Sequence, residues 1–330
     1  MTTVDTHTAG EPTRIVTAGF PPLRGSTIRE KRKDFFLRFD NLREALLREP
    51  RGHSDMFGAF LTPPEHSEAD FGLFFFDGGG ALEMCGHATI GVTTAVLETG
   101  LMPFPSPETP VVFETTAGLV QTRVESEGEK ILGVRLRNVP SFVAAQSIQV
   151  ELQGYHRKIV ADIAYGGNFF AFVDARSLDL SVSLPNVGEL ISKGIAIREA
   201  INRTVSITHP QEKDISGVGV VSFFEPGDRP EVHLRNVNVF GAGQFDRSPG
   251  GTATSALLAL QRVQGKLNPG EILCVEGIAG GMFEGQIIGE TQVQEYPAIL
   301  PEIKGRAFIT GLHTFVLDPD DPFAYGFPGP

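Results

Sequence analysis

The feature that most constrains the fold of this chain is a weak internal repeat. The segment beginning at Asp5 (DTHTAGEPTRIV) and the one beginning at Asp162 (DIAYGGNFFAFV) share Asp5/Asp162, Gly10/Gly167 and Val16/Val173 in register. Further on, the run CGHATIGV from Cys85 aligns with GGTATSAL from Gly250, and FETTAG from Phe113 aligns with VEGIAG from Val275. Any one of these matches is at chance level. Three in the same order, at a spacing close to half of the 330 residues, read as two homologous halves.

Each half carries the same local signals. Short runs rich in Val, Ile and Phe, at Thr13–Val16, Phe71–Phe76, Pro110–Phe113 and Leu132–Leu136, read as strands between Gly, Pro and Asp punctuation. Midway through each half lies one apolar helical segment. The first runs from His87 to Thr99 and is stopped by Gly100; the second runs from Thr252 to Gln264 and is stopped by Gly265. Both are apolar nearly all round, which predicts helices enclosed by sheet. The expectation is an α+β chain of two pseudo-symmetric halves, each a curved, mostly antiparallel sheet around a central helix. The halves are expected to meet at a cleft near both helix starts.

Composition narrows the function. The 41% hydrophobic and 21% charged fractions are those of a globular chain, and no apolar run approaches the ~20 residues that span a bilayer. The amino terminus lacks a basic segment followed by an apolar one, so no secretory signal is read there. A net charge of −12 argues against nucleic acid as a partner. Two cysteines make neither a disulfide framework nor a metal site, and the eight histidines show no metal-ligand spacing. The reading is a cytoplasmic small-molecule enzyme in which a cysteine, if it matters, matters as a thiol. Arg29–Lys33 reads as a solvated basic face, and Gly241-Ala-Gly-Gln-Phe-Asp starts like a dinucleotide fingerprint without the βαβ context.

The helix starts carry the chemistry. The first amides of a helix lack internal partners and sit at the positive end of its dipole, so each start is a ready anion site. Gly86 and Gly251 let a ligand approach the backbone. Cys85 stands immediately before the first helix, where the local field favours thiolate.

Met84-Cys-Gly-His-Ala-Thr-Ile-Gly and Asp246-Arg-Ser-Pro-Gly-Gly-Thr-Ala-Thr resemble the two active-site signatures of the proline racemase family, which has the diaminopimelate-epimerase-like fold. The resemblance covers essentially the whole chain, from Asp5-Thr-His-Thr-Ala-Gly-Glu-Pro through Gly52-His-Ser-Asp-Met-Phe-Gly-Ala and Asp162-Ile-Ala-Tyr-Gly-Gly-Asn to the closing Asp318-Pro-Asp-Asp-Pro-Phe-Ala-Tyr-Gly-Phe. It implies a first domain of residues 1–142 with 312–330, carrying Cys85, and a second of 143–311, carrying Asp246 and Gly250. It implies chemistry without a cofactor or metal on an imino acid, with a homodimer open. Carried over residue by residue, Cys85 is the base, and Gly86, His87, Gly251 and Thr252 hold the carboxylate through their amides. Asp246 takes the ammonium, and Phe57 and Phe240 are the aromatic walls.

One departure bears on the reaction. Family racemases carry a second cysteine where this chain has Gly250, and glycine neither accepts nor donates a proton. The remaining cysteine, Cys274, lies in an apolar run and reads as a strand residue. β-Elimination needs only one base, and the family's trans-3-hydroxy-L-proline dehydratases keep only the first cysteine. The expectation is therefore dehydration of trans-3-hydroxy-L-proline to Δ1-pyrroline-2-carboxylate, with His87, His7 or a water protonating the leaving hydroxyl. The alternatives are a hydroxyproline 2-epimerase or proline racemase, and a non-catalytic imino-acid binder.

Overall fold

A computed structural model describes residues 1–104, 107–152, 155 and 157–327. The chain divides into two compact units, Met1–Leu136 with Arg306–Pro330, and Arg137–Gly305. Both boundaries fall slightly before the expected 142/143 and 311/312, and the last three residues of the expected first domain lie outside the described residues.

In the first unit the order is β1 (Thr2–Thr8), β2 (Glu11–Ala18), α1 (Ile28–Leu47), β3 (Phe57–Thr62), β4 (Phe71–Phe76), β5 (Ala81–Leu82), α2 (Gly86–Glu98), β6 (Glu108–Thr115), β7 (Gly118–Glu127) and β8 (Lys130–Arg137). The second unit opens with β9 (Ser141–Val150) and then repeats that order. It runs β10 (Ile159–Tyr165), β11 (Phe169–Asp174), α3 (Val187–Thr204), β12 (Val220–Pro226), β13 (Leu234–Phe240), β14 (Gln244–Asp246), α4 (Gly251–Val263), β15 (Ile272–Gly277), β16 (Met282–Val293) and β17 (Tyr296–Gly305). A final strand, β18 (Ala307–Thr314), returns to the first unit.

The pairing repeats as well. β2–β3 and β11–β12 are parallel, as are β4–β6 and β13–β15. The hairpins β3–β4, β4–β5 and β6–β7 have antiparallel counterparts in β12–β13, β13–β14 and β15–β16. β18 pairs with β1 as β9 pairs with β10, so the equivalent strands β1 and β10 are flanked by the strands that follow β17 and β8. The duplication read from sparse matches is thus present in the topology.

Burial explains where the two central helices sit. Every residue of α2 from Gly86 to Leu97 is buried, and α2 packs on β1 and β18. Gly91 permits that approach: a Cβ there would lie 2.5 Å from Thr6 Oγ1. Helix α4 packs on β9, β10, β16 and β17 in the same manner. Both helices stop where expected, at Gly100 and Gly265, whose φ values of 73° and 68° are ones that glycine adopts without strain.

The sequence reading missed α1 and α3. Helix α1 begins at Thr27, whose side chain accepts from the Glu30 amide, and buries Phe35 among Phe60, Phe74 and Phe76. The basic run Arg29–Lys33 is a solvated face only in part: Arg29, Glu30 and Lys33 are exposed, but two of its residues turn inward. Lys31 is buried with Nζ on the Pro63 carbonyl (3.2 Å), and Arg32 reaches inward to the Leu82 carbonyl, Thr116 Oγ1 and Glu83. Helix α3 lies on β12 and β13, with Gly194 against Val239 and Phe223. Strand side chains alternate between faces, so Phe74 and Phe76 of β4 face α1, leaving Leu73 and Phe75 to the other face. Val237 and Val239 of β13 belong to the cluster that includes α3, leaving Asn236 and Asn238 to the other face. Among the described residues, no helix is long and apolar enough to cross a membrane.

Candidate active site

In the first unit the candidate residues follow the loop from Asp77 to Met84. Buried Asp77 accepts from the amides of Gly79 (2.7 Å) and Gly80 (2.9 Å), and burial pushes its carboxyl above the usual carboxylate range. Two arginines of α1 hold the same loop from outside. Arg43, 5% exposed, donates to the carbonyls of Asp77 (2.7 Å) and Gly78 (3.2 Å); Arg32 holds Leu82 (3.1 Å) and Glu83 (2.6 Å). These supports were not read from the sequence. The signal for them was Thr27-x-x-Glu30, a helix-start pattern.

Cys85 caps α2 with φ −141° and ψ 110° and offers no side-chain cap, so the first amides of the helix are not occupied by its thiol. The thiol is buried, and its Sγ lies 3.4 Å from His87 Nδ1 and 3.7 Å from Nε2. Burial holds the His87 imidazole down to about 3, so the ring is neutral at physiological pH. The edge of one ring meets the face of the other between Phe57 and His87, with centroids 4.6 Å apart at 88°. Thr8 Oγ1 donates to the His87 carbonyl (2.8 Å), and Thr89 Oγ1 donates to that of Cys85 (2.8 Å). The structure thus brings Cys85, Gly86, His87 and Phe57 together. His7 is engaged elsewhere: its Nδ1 accepts from the Gly10 amide (3.3 Å) and its ring stacks on Phe308.

In the second unit the candidate residues gather at the start of α4. Buried Asp246, the last residue of β14, accepts from Ser248 N (2.8 Å) and Ser248 Oγ (2.7 Å), and Ser248 Oγ accepts from Gly250 N (3.1 Å). Gly250 caps α4 with φ 77° and ψ 119°, a conformation that side chains rarely adopt. Gly251 is buried in the first turn, and Thr252 packs against Gly167 of the Asp162 motif. Phe240 ends β13 and pairs with Gln244 across the turn that contains the Gly241-Ala-Gly sequence. Behind the turn, buried Asn236 and Asn238 both donate to the Pro249 carbonyl (2.8 and 3.0 Å), a clamp the sequence reading did not contain. Asp246, Gly250, Gly251 and Thr252 therefore form one local cluster, with Phe240 at the end of the strand behind it.

Cys274 lies on β15, where its backbone N–H donates to His233 Nδ1 (3.0 Å). It is half-buried rather than in the core, and burial raises its thiol.

Known proteins resemble this chain along its whole length. It is 44% identical over 324 residues to a proline racemase of Acetoanaerobium sticklandii, which covers 98% of this chain and 97% of that protein. A 4-hydroxyproline 2-epimerase of Cereibacter sphaeroides is also 44% identical (98% and 96% covered), and a trans-3-hydroxy-L-proline dehydratase of Bacillus cereus is 39% identical (99% and 97%). The crystal structure of a hydroxyproline epimerase from Agrobacterium vitis with bound trans-4-OH-L-proline superimposes with a TM-score of 0.88. It shares 34% identity and covers 99% of this chain and 94% of that chain. The expected α+β fold of the diaminopimelate-epimerase type is the observed one. The proline racemase family model matches residues 3–328. With the repeated topology, the two helix starts and this match in agreement, the chain belongs to the proline racemase family.

Proposed function

We propose that this protein removes the Cα proton of a proline-type imino acid, with Cys85 as the base and without a cofactor. The observation that carries the reading is the buried Cys85 thiol at the start of an enclosed helix, 3.4 Å from His87 Nδ1. In this reading the amides of Gly86, His87, Gly251 and Thr252 hold the carboxylate and stabilise the charge that develops on it. Asp246 takes the ring ammonium, and Phe57 and Phe240 keep the site dry.

The carbanion has two outcomes. Reprotonation on the opposite face is isomerisation, and the relatives support it better. Those 44% identical carry the names proline racemase and 4-hydroxyproline 2-epimerase. With Gly250 in the second position, the proton for that face would come from water rather than from a thiol. Expulsion of a 3-hydroxyl is dehydration, the outcome first expected from the sequence. A specific observation keeps it as a second reading: Gly250 supplies no acid, and elimination needs none on that face. The B. cereus relative carries the dehydratase name at 39% identity.

Separate incubations with L-proline, trans-4-hydroxy-L-proline and trans-3-hydroxy-L-proline discriminate the outcomes. Racemised proline or the 4-hydroxyproline epimer supports isomerisation, whereas pyrroline product from the third substrate alone supports dehydration. Binding without turnover of any of the three would point to the non-catalytic alternative. Cys85→Ser should abolish turnover, because a hydroxyl is a far weaker base at neutral pH. Activity surviving that change would mean that a group other than Cys85 takes the proton.

A further inference from the structure

The two helix starts are equivalent by topology but not by backbone. Cys85 has φ −141° and ψ 110°, Gly250 φ 77° and ψ 119°. The ψ values nearly agree; the φ values do not. The φ of residue 250 is set by the plane of the Pro249–Gly250 peptide, and that plane is held at both ends. Its carbonyl accepts from Asn236 Nδ2 (2.8 Å) and Asn238 Nδ2 (3.0 Å), and its N–H donates to Ser248 Oγ (3.1 Å). The space beside Gly250 is also taken. A Cβ there would lie 2.6 Å from Asn238 Nδ2, 3.1 Å from Ala253 Cβ and 3.3 Å from Asp246 Oδ2.

The first unit carries no amide pair at the matching positions. Phe75 of β4 pairs with Leu82, the last residue of β5, as Asn238 of β13 pairs with Asp246, the last residue of β14. Two residues earlier stand Leu73 and Asn236. The half whose helix starts at a cysteine has an apolar pair there, and the half whose helix starts at a glycine has an amide pair. That pair is kept at a cost, since Asn236 Oδ1 is buried without a partner among the described residues.

We propose that Asn238 is a positioning residue for the reaction. By clamping the Pro249 carbonyl and filling the space beside Gly250, it holds the start of α4 in a form that suits only glycine, and so keeps acid–base side chains off that side of the substrate. The inference rests on the reading that the protein acts at Cα with Cys85 as base. Its consequence is that the loss of the second thiol is a property of two positions. Restoring cysteine at 250 alone places a side chain against Asn238 on a backbone that disfavours it. Shortening Asn238 as well frees the space and releases one of the two bonds on the Pro249 carbonyl, so the peptide can turn toward the extended form seen at Cys85.

The test compares wild type, Gly250→Cys, Asn238→Ala and the double variant Asn238→Ala/Gly250→Cys. Two readouts are taken: thermal unfolding, and deuterium uptake at Cα from D2O starting from L- and from D-proline or the 4-hydroxyproline epimers. Gly250→Cys should lower Tm by about 5 °C or more and gain no new exchange. The double variant should recover most of that loss and exchange the poorer enantiomer at least about tenfold faster than Gly250→Cys, as a second general acid–base group would allow. A Gly250→Cys protein as stable as wild type, or a double variant no better than Gly250→Cys in both readouts, overturns the proposal. If Gly250→Cys does not fold, the same cycle with Gly250→Ser gives the stability coupling. Absence of Cα exchange in wild type on every substrate would instead overturn the reading of function, while the coupling of 238 and 250 in the melts still judges the clamp.

Discussion

At the scale of single residues, the site is defined as much by what is kept neutral as by what is charged. His87 sits 3.4 Å from the Cys85 thiol, and desolvation lowers its pKa from 6.5 to about 3. Between those values the unfolded chain binds a proton that the folded chain refuses, so the stability tied to this group is present above about 6.5 and is lost as pH falls toward 3. Urea unfolding at pH 5 and pH 7.5 should therefore show a smaller difference in His87→Asn than in wild type. An unchanged difference would mean that the imidazole is not held neutral. Not all of this was legible in the sequence. Cys85, Gly86 and His87 stand in a recognisable signature, but Asn238 is recognisable only once β13 is in register with β14. The clamp depends on which residue lies opposite Asp246, and that is settled by pairing rather than by local pattern.

At the scale of elements, the two apolar helices were legible to within a residue because their apolar runs end at glycines with positive φ. Helices α1 and α3 were not. The outer face of α1 is so charged that its buried stripe of Ile28, Phe35, Ala45, Leu46 and Leu47 is hard to see between the charges. It is also broken in phase where Phe39 leaves helical geometry. Yet α1 reaches the site, since Arg43 and Arg32 hold the loop that delivers Cys85. Arg43→Met keeps the apolar stem and deletes the bonds to the Asp77 and Gly78 carbonyls together with those to Asp40. It should cost about 1–3 kcal/mol in urea unfolding and lower kcat more than it raises KM. A variant with wild-type stability would show that Asp77 and Arg32 hold the loop without Arg43.

At the scale of the whole chain, the repeat explains why the unit boundaries fall where they do. The first unit is discontinuous in sequence: β1 has β2 on one side and β18, from the far end of the chain, on the other. A chain ending at Gly305 would leave the β1 edge open and uncover α2, which packs on β18. Such a truncation should lose cooperative unfolding of the first unit and make residues 1–136 sensitive to limited proteolysis, with the second unit the more resistant. Equal protection of both segments would show that β18 is dispensable.

The backbone at Gly250 also bears on which mutational routes are open to a chain of this kind. With Asn238 in place, the first step toward any side chain at 250 lands on a strained and crowded intermediate, so the order of changes matters. Position 238 must give way before position 250 can gain. A search for variants that carry an acid–base side chain at 250 would therefore begin one strand away, at Asn238 on β13.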